Sequence, residues 1–221
     1  MKWSYKLLSN PILNNNTTFT SMLNIVKTRL NMATTDTTKD DIIFLCIKSV
    51  ISFFEKYTSA AVFEQEWNLY LEYNNSYNNN DYYAYNNIND FTINKYEIIE
   101  FKKKQVLSIM EVKYFPSNSN QLTTLIPNTD YEIKIEKENT YAGIQLKKDL
   151  CVANKIDAFI IKANRGFGTT INDIPSNLYK AFIDHTVKLY ENYGDDCDDC
   201  EKQMTPAIKS IYSQYKKLFH F

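Results

Sequence analysis

Glycine is scarce in this chain, with 4 in 221 residues. Two of the four fall in ANRGFGTTIND, the one stretch that suggests a phosphate loop. It lacks GxxxxGK followed by Ser or Thr, and its GxG has no third glycine at the dinucleotide spacing. Gly166 and Gly168 are read instead as letting the chain leave a strand and turn toward a helix. Long apolar runs are missing too: nothing approaches the ~18–20 consecutive residues of a membrane span. The opening MKWSYKLLSNPILNNN has one early lysine and an apolar patch broken by Asn and Pro, unlike a signal peptide. Four cysteines without such a signal suit a reducing compartment and free thiols. No charge sign dominates. A net charge of −1 excludes bulk attraction to nucleic acid or anionic membrane. Only two histidines exist, neither beside a Ser or Cys partner, and no carboxylate pair has a catalytic pattern. No enzyme and no cofactor is expected.

What the chain does have is apolar patterning. Hydrophobic residues make up 44%, enough for a substantial core, and there are 17 tyrosines. Asn, Ile, Lys and Tyr, all with AT-rich codons, dominate the rest. Residues 1–18 read as an irregular arm, followed by a helix over 19–31 with Met22, Leu23, Val26 and Leu30 on one face. A polar linker offers Asp36 or Thr37 as N-cap for a helix over 38–58. There Ile43, Cys46, Val50, Phe53 and Tyr57 form a buried stripe, widened by Ile47 and Phe54. From about residue 62 to 165 the period changes. Phe63, Trp67, Leu69, Leu71 and Tyr73 alternate as in a strand. Further strands are expected over 91–101, 105–115, 121–126, 131–136, 141–147 and 157–163. The Asn/Tyr-rich stretch at 74–90 reads as a low-complexity loop.

Helix returns over 176–193, with Leu178, Phe182, His185 and Leu189 on one face and Gly194 as a C′ residue. Thr205 as N-cap and Pro206 at N1 open a last helix over 206–219. The expected fold class is α+β: a small helical bundle from the N- and C-terminal helices, with an antiparallel β unit inserted between them. The arm is set apart, and residues 19–221 form one domain.

Three stretches could carry chemistry. Cys197 and Cys200 have CxxC spacing, which a metal site or a redox pair would use. The remaining ligands would have to come from Cys46, Cys151, His185 or His220, and these form no second pair. Asp195, Asp196, Asp198, Asp199 and Glu201 would raise the thiol pKa values and disfavour thiolate. A solvated acidic loop is the favoured reading, and a small metal-binding regulatory or interaction module using Cys197 and Cys200 is the alternative. Lys102, Lys103 and Lys104 lack the aromatic platform of a nucleic-acid site. The last helix says more. Ile208, Ile211, Tyr212, Tyr215, Leu218 and Phe219 make a broad apolar stripe on a helix too short to stand alone. Burying each such side chain is worth roughly 1.5–3 kcal/mol. The stripe must cover itself with this chain or with a partner's groove.

The order of these pieces resembles the head–tail connector proteins of tailed bacteriophages, also called adaptor or neck proteins. The resemblance is carried by SMLNIVKTRLNM, then DDIIFLCIKSVISFFEKYTSAAVF and EQEWNLYLEY. It continues through QVLSIMEVKYF with TLIPNTDYEI, DAFIIKANRGFG, IPSNLYKAFIDHTVKLYENYG and TPAIKSIYSQYKKL. Together they cover roughly residues 20–218. The resemblance implies a non-enzymatic virion protein, made in the host bacterial cytoplasm and placed at the head–tail junction. It implies a cyclic ring on the order of twelve copies. The ring would bind the portal protein on one side and a tail-side neck or tail protein on the other, with DNA passing through it on ejection. No membrane is involved. In the family the C-terminal helix reaches toward the portal, so the six stripe residues become portal-interface candidates. Deleting 206–221 should then abolish portal binding and leave the fold intact.

Overall fold

The computed structural model describes residues 2–9, 16–72, 91–96, 98–100, 106–137, 140–153, 158–193 and 200–216. They show an α+β fold in two compact units. One comprises Asn10–Glu64 with Gly166–Phe221, the other Met1–Ser9 with Gln65–Arg165.

The first unit is helical. A 3-10 turn at Asn16–Phe19 leads into α1 (Thr20–Arg29), followed by α2 (Asp40–Thr58), α3 (Ser176–Glu191) and α4 (Pro206–Tyr215). Each buries the face its periodicity predicts. In α2 the deepest residues are Ile43, Ile47, Val50, Ile51 and Phe54, while Phe53 and Tyr57 are half-buried at the rim. Phe54 contacts the rings of Phe182 and Tyr212 edge-on, at centroid separations of 5.1 and 5.0 Å. Such aromatic pairs add to area burial. Asp36 does not cap α2. Its carboxylate accepts from the Thr38 amide and hydroxyl in a local turn, and these bonds, the amide first, hold its pKa below the usual carboxylate range. The helix starts later, with Lys39 at the N-cap and Asp40 and Asp41 in the first turn, where negative charge suits the dipole. Lys27 on α1 is only 1% exposed. Its ammonium pairs with Asp40 and donates to the Thr34 carbonyl at 3.3 Å, so the linker is tied to the core.

The chain leaves α2 through Ser59 in the left-handed region, with φ 59°. Phe63 alternates with the strand after it, yet it packs in the helical core, edge-on to Phe19 at 5.7 Å. The strand begins only at Gln65. Beside Phe63 the returning chain makes its glycine turn. Gly166 has φ 144°, and a Cβ there would lie 2.4 Å from the Phe63 carbonyl oxygen, so only glycine fits.

The second unit is all β. Its strands are β1 (Lys2–Ser9), β2 (Gln65–Glu72), β3 (Phe91–Ile93), β4 (Ile98–Glu100) and β5 (Val106–Tyr114). Then come β6 (Thr123–Leu125), β7 (Tyr131–Lys137), β8 (Thr140–Leu146), β9 (Leu150–Val152) and β10 (Phe159–Arg165). They form a five-stranded sheet in the order β1-β2-β10-β5-β6, a three-stranded sheet β4-β8-β7 and the pair β3-β9, all antiparallel. The core is mostly aliphatic: Leu69, Val112, Leu125, Ile144, Leu146, Val152, Phe159 and Ile161.

Two expectations change here. Residues 2–9 are not an irregular arm but a strand. Lys2 stands opposite Glu72 and Leu7 opposite Trp67, so β1 is made by a partner some sixty residues away. The expected strand over 91–101 is two short strands in different sheets. Between them Tyr96 has φ 67°, and the Lys95 amide donates to Asp149.

Candidate functional site

The last helix is built as its sequence directs. Thr205 Oγ1 accepts from the Ile208 amide at 3.3 Å and Pro206 occupies the first turn. The helix ends at Tyr215, short of the expected Phe219, because Lys216 is already extended (φ −68°, ψ 124°). The Lys216 ammonium lies 4.4 Å over the Tyr57 ring.

The stripe faces inward. Ile208 and Tyr212 are buried in the helical core, and Ile211 and Tyr215 pack half-buried at its margin. Tyr215 meets Phe167 edge-on at 5.6 Å and donates its hydroxyl to Asn177 Oδ1 at 2.9 Å. These four portal-interface candidates are therefore covered, wholly or in part, by their own chain. Leu218 and Phe219 lie outside the described residues. The outward face of α4 is small and polar: Ala207, Lys209, Ser210, Ser213 and Gln214.

What holds α4 is a buried histidine. His185 sits on the apolar face of α3, where its spacing from Phe182 and Leu189 puts it, and it is fully buried. Nε2 lies 2.8 Å from the Cys200 carbonyl oxygen, and Nδ1 lies 3.1 Å from the Tyr212 hydroxyl. A carbonyl can only accept, so the proton is on Nε2, and Nδ1 accepts from the tyrosine. Phe53 meets the imidazole edge-on at 5.8 Å. Burial pushes the histidine pKa down, and burial pushes Tyr212 up, so both are neutral. The ring thus links α3, α4 and the turn at 200. Asn192 adds a second tie to that turn, donating to Gln203 Oε1 at 2.8 Å.

This geometry does not suit the metal module. Both nitrogens of His185 are engaged, Cys46 and Cys200 are buried and Cys151 is exposed. Among the described residues no three His, Cys, Asp or Glu side chains group to hold an ion. Cys197 and His220 lie outside the described residues, as do Gly194, the 74–90 stretch and Lys102 to Lys104. The glycine turn is no phosphate cradle. A Cβ on Gly168 would meet the Asp173 carboxylate at 2.5 Å, and that carboxylate accepts from the Thr170 amide at 2.8 Å, so an anion already occupies the loop.

Among the described residues of the β unit, a groove of about 200 Å3 lies on the five-stranded sheet. Its floor carries Lys162, Glu111 and Lys113, and its rims are Leu8 and Leu122, 40% and 41% exposed. The lysines are neutralised locally, Lys162 by Glu66 at 2.9 Å and Lys113 by Glu111 at 2.8 Å. The groove offers no unpaired charge to a substrate.

Helices that bracket an inserted antiparallel β unit, with a clasped C-terminal helix, define the fold class. Solved structures share this fold. A chain from the neck of an empty gene transfer agent particle, computed with C6 symmetry, matches with a TM-score of 0.60 at 10% identity, over 99% of this chain and 97% of that one. One from the virion of a native particle matches at 0.61 and 11% identity, over 98% and 97%. One from the neck of a native particle computed with C12 symmetry matches at 0.61 and 10%, over 99% and 97%. No protein-family model and no curated protein matches the sequence. At such identities the likeness is one of fold.

Proposed function

We propose that this chain is a non-enzymatic structural subunit of a virion neck, forming a ring at the head–tail junction of a tailed phage or phage-like particle. The observation that carries the reading is the fold match. Nearly the whole chain superimposes on chains of particle necks, one of them computed with C12 symmetry. The order of sequence pieces resembling phage connectors supports the same reading independently. The ring has on the order of twelve copies. It meets the portal protein on one side and a tail-side protein on the other, and DNA passes through it.

Within this reading α4 is the portal-side element. Ile208 and Tyr212 anchor it, Ile211 and Tyr215 line its margin, and Leu218 and Phe219 follow in the sequence as further portal-interface candidates. The edge strands of the five-stranded sheet, β1 and β6, serve contacts with the next subunit or with the tail. Deleting 206–221 is not a clean test, because it removes Tyr212 from the core. The outward face is the better target. Ala207→Arg with Ser210→Arg leaves every buried residue in place. Portal pull-down should fail for this variant while its melting temperature stays within a few degrees of the parent. The decisive experiment is quantitative mass spectrometry of purified particles, with localisation by electron microscopy. About twelve copies at the head–tail junction support the reading. Particles without the chain overturn it.

A further inference from the structure

The His185 clasp closes the element that meets the portal in the reading above, but its geometry stands on the isolated chain. We propose that His185 is a proton-operated latch: adding a proton at Nδ1 releases α4 and the 200–205 turn from α3. In the closed state Nδ1 must accept from the Tyr212 hydroxyl, because Nε2 is committed as donor to the Cys200 carbonyl. A proton on Nδ1 makes both nitrogens donors. The Tyr212 hydroxyl must then turn its own hydrogen away, and a full positive charge sits in the core. Water can solvate that charge only if α4 moves.

Among the described residues no carboxylate is hydrogen-bonded to the imidazole, whose two partners are a hydroxyl and a carbonyl. From α2 come the Phe53 edge, Tyr57 stacked on it at 5.7 Å, and the buried Cys46 two turns along the same face. On α3 the charged neighbours are engaged elsewhere: Asp184 with Arg29 of α1, and Lys188 with Glu191. Lys27, the buried cation of α1, is bound to Asp40. α4 brings Tyr212, while Tyr215 is tied to Asn177. The turn brings the Cys200 carbonyl and its buried thiol, with Glu201 and Lys202 exposed beside it. Asp195, Asp196, Asp198 and Asp199 precede Cys200 in the sequence, outside the described residues.

The sign follows from burial. The closed state holds the histidine below its ordinary value, whereas the open state titrates near ~6.5. The latch is therefore fully effective above about pH 6.5. The opening constant rises up to about tenfold per pH unit below that, until the closed form itself takes up a proton.

The test is amide hydrogen exchange on the full chain from pH 7.5 to 5, corrected for intrinsic rates. Protection over Ile208–Tyr215 should fall by about tenfold per unit below ~6.5. Protection over Val50–Phe54 of α2 should hold. His185→Gln, which can donate and accept without titrating, should remove the pH dependence. Constant protection of α4 in the parent overturns the latch, and so does an equal acid response in the variant. If His185→Gln does not fold, a His220→Gln background leaves a single histidine to follow by NMR. A ring titration that coincides with α4 opening supports the latch. One that proceeds while α4 stays protected overturns it. No portal is needed, so failure here leaves the neck reading untouched, and a failed neck reading leaves the latch intact.

Discussion

The helical unit and the β unit solve the same problem with different materials. The helical core sets a cluster of rings among its aliphatics: Phe19, Phe54, Phe63, Phe182 and Tyr212 are all fully buried, and edge-on contacts link them. Its buried polar groups are few, namely His185, Lys27, Thr58 and Thr186. The β core is more aliphatic, with Tyr131 and Phe159 its buried rings, and its order comes from strand register. β10 lies between β2 and β5, with every pairing antiparallel. Large rings concentrate contact energy at a few positions, whereas small aliphatics spread it over many. The helical unit should therefore be brittle to single substitutions, and the β unit tolerant of them.

The sharpest test of this contrast is Tyr212→Ala. It removes a buried ring and the acceptor's partner at His185, and should cost about 3–5 kcal/mol in urea unfolding. The matching truncation in the β unit, Ile161→Ala, should cost toward the low end of about 2–5 kcal/mol. Equal losses would break the comparison. Next is Asp40→Ala, which strands the Lys27 ammonium in the core. A loss toward the low end of ~3–5 kcal/mol is expected, because the aspartate itself is 20% exposed. Lys27→Met, which removes the charge as well, should cost clearly less.

In the β unit Asp130 is the nearest counterpart. Its carboxylate pairs with Lys148 at 2.7 Å and accepts from the Ile126 amide at 2.8 Å. These contacts, the lysine first, hold its pKa below the ordinary value. Its stabilisation is thus complete above about pH 3.9 and is lost as pH falls through the lower folded value. Asp130→Ala should cost about 1–3 kcal/mol at neutral pH and flatten the acid limb of the β unit's stability curve. The smallest effect is expected from Thr205→Ala. Loss of one N-cap bond should cost about 1 kcal/mol, seen as faster exchange in the first turn of α4.

How far the fold could be read from sequence also divides along this line. Helices are local objects. The 3-4 spacing in α2, the Leu178–Phe182–His185–Leu189 face of α3 and the Thr205-Pro206 start of α4 each appear within one window. Strand existence was equally legible where alternation was clean, as in β5, β8 and β10. Strand partnership was not. β1 looks irregular because its pattern is completed by β2, and β9 is only three residues long. Phe63 shows the same limit: alternation is a property of the neighbours, burial a property of the fold. The candidate site divides in the same way. The apolar stripe of α4 announces that it must be covered, but not by what, and the cover proved to be α2 and α3. His185 stood on the right face, yet nothing in the sequence marked Tyr212 and Cys200 as its two partners.

The discontinuity of the helical unit bears on how the chain is made. α1 and α2 emerge from the ribosome before β2 to β10, and α3 and α4 after them. At ~5–20 residues per second, synthesis of Gln65–Arg165 takes on the order of ten seconds. Throughout that interval the apolar faces around Val50 and Phe54 lack the Phe182 and Tyr212 that will cover them. Nascent chains of this protein should therefore engage hydrophobic-binding chaperones early and be released only when the last helix has been translated.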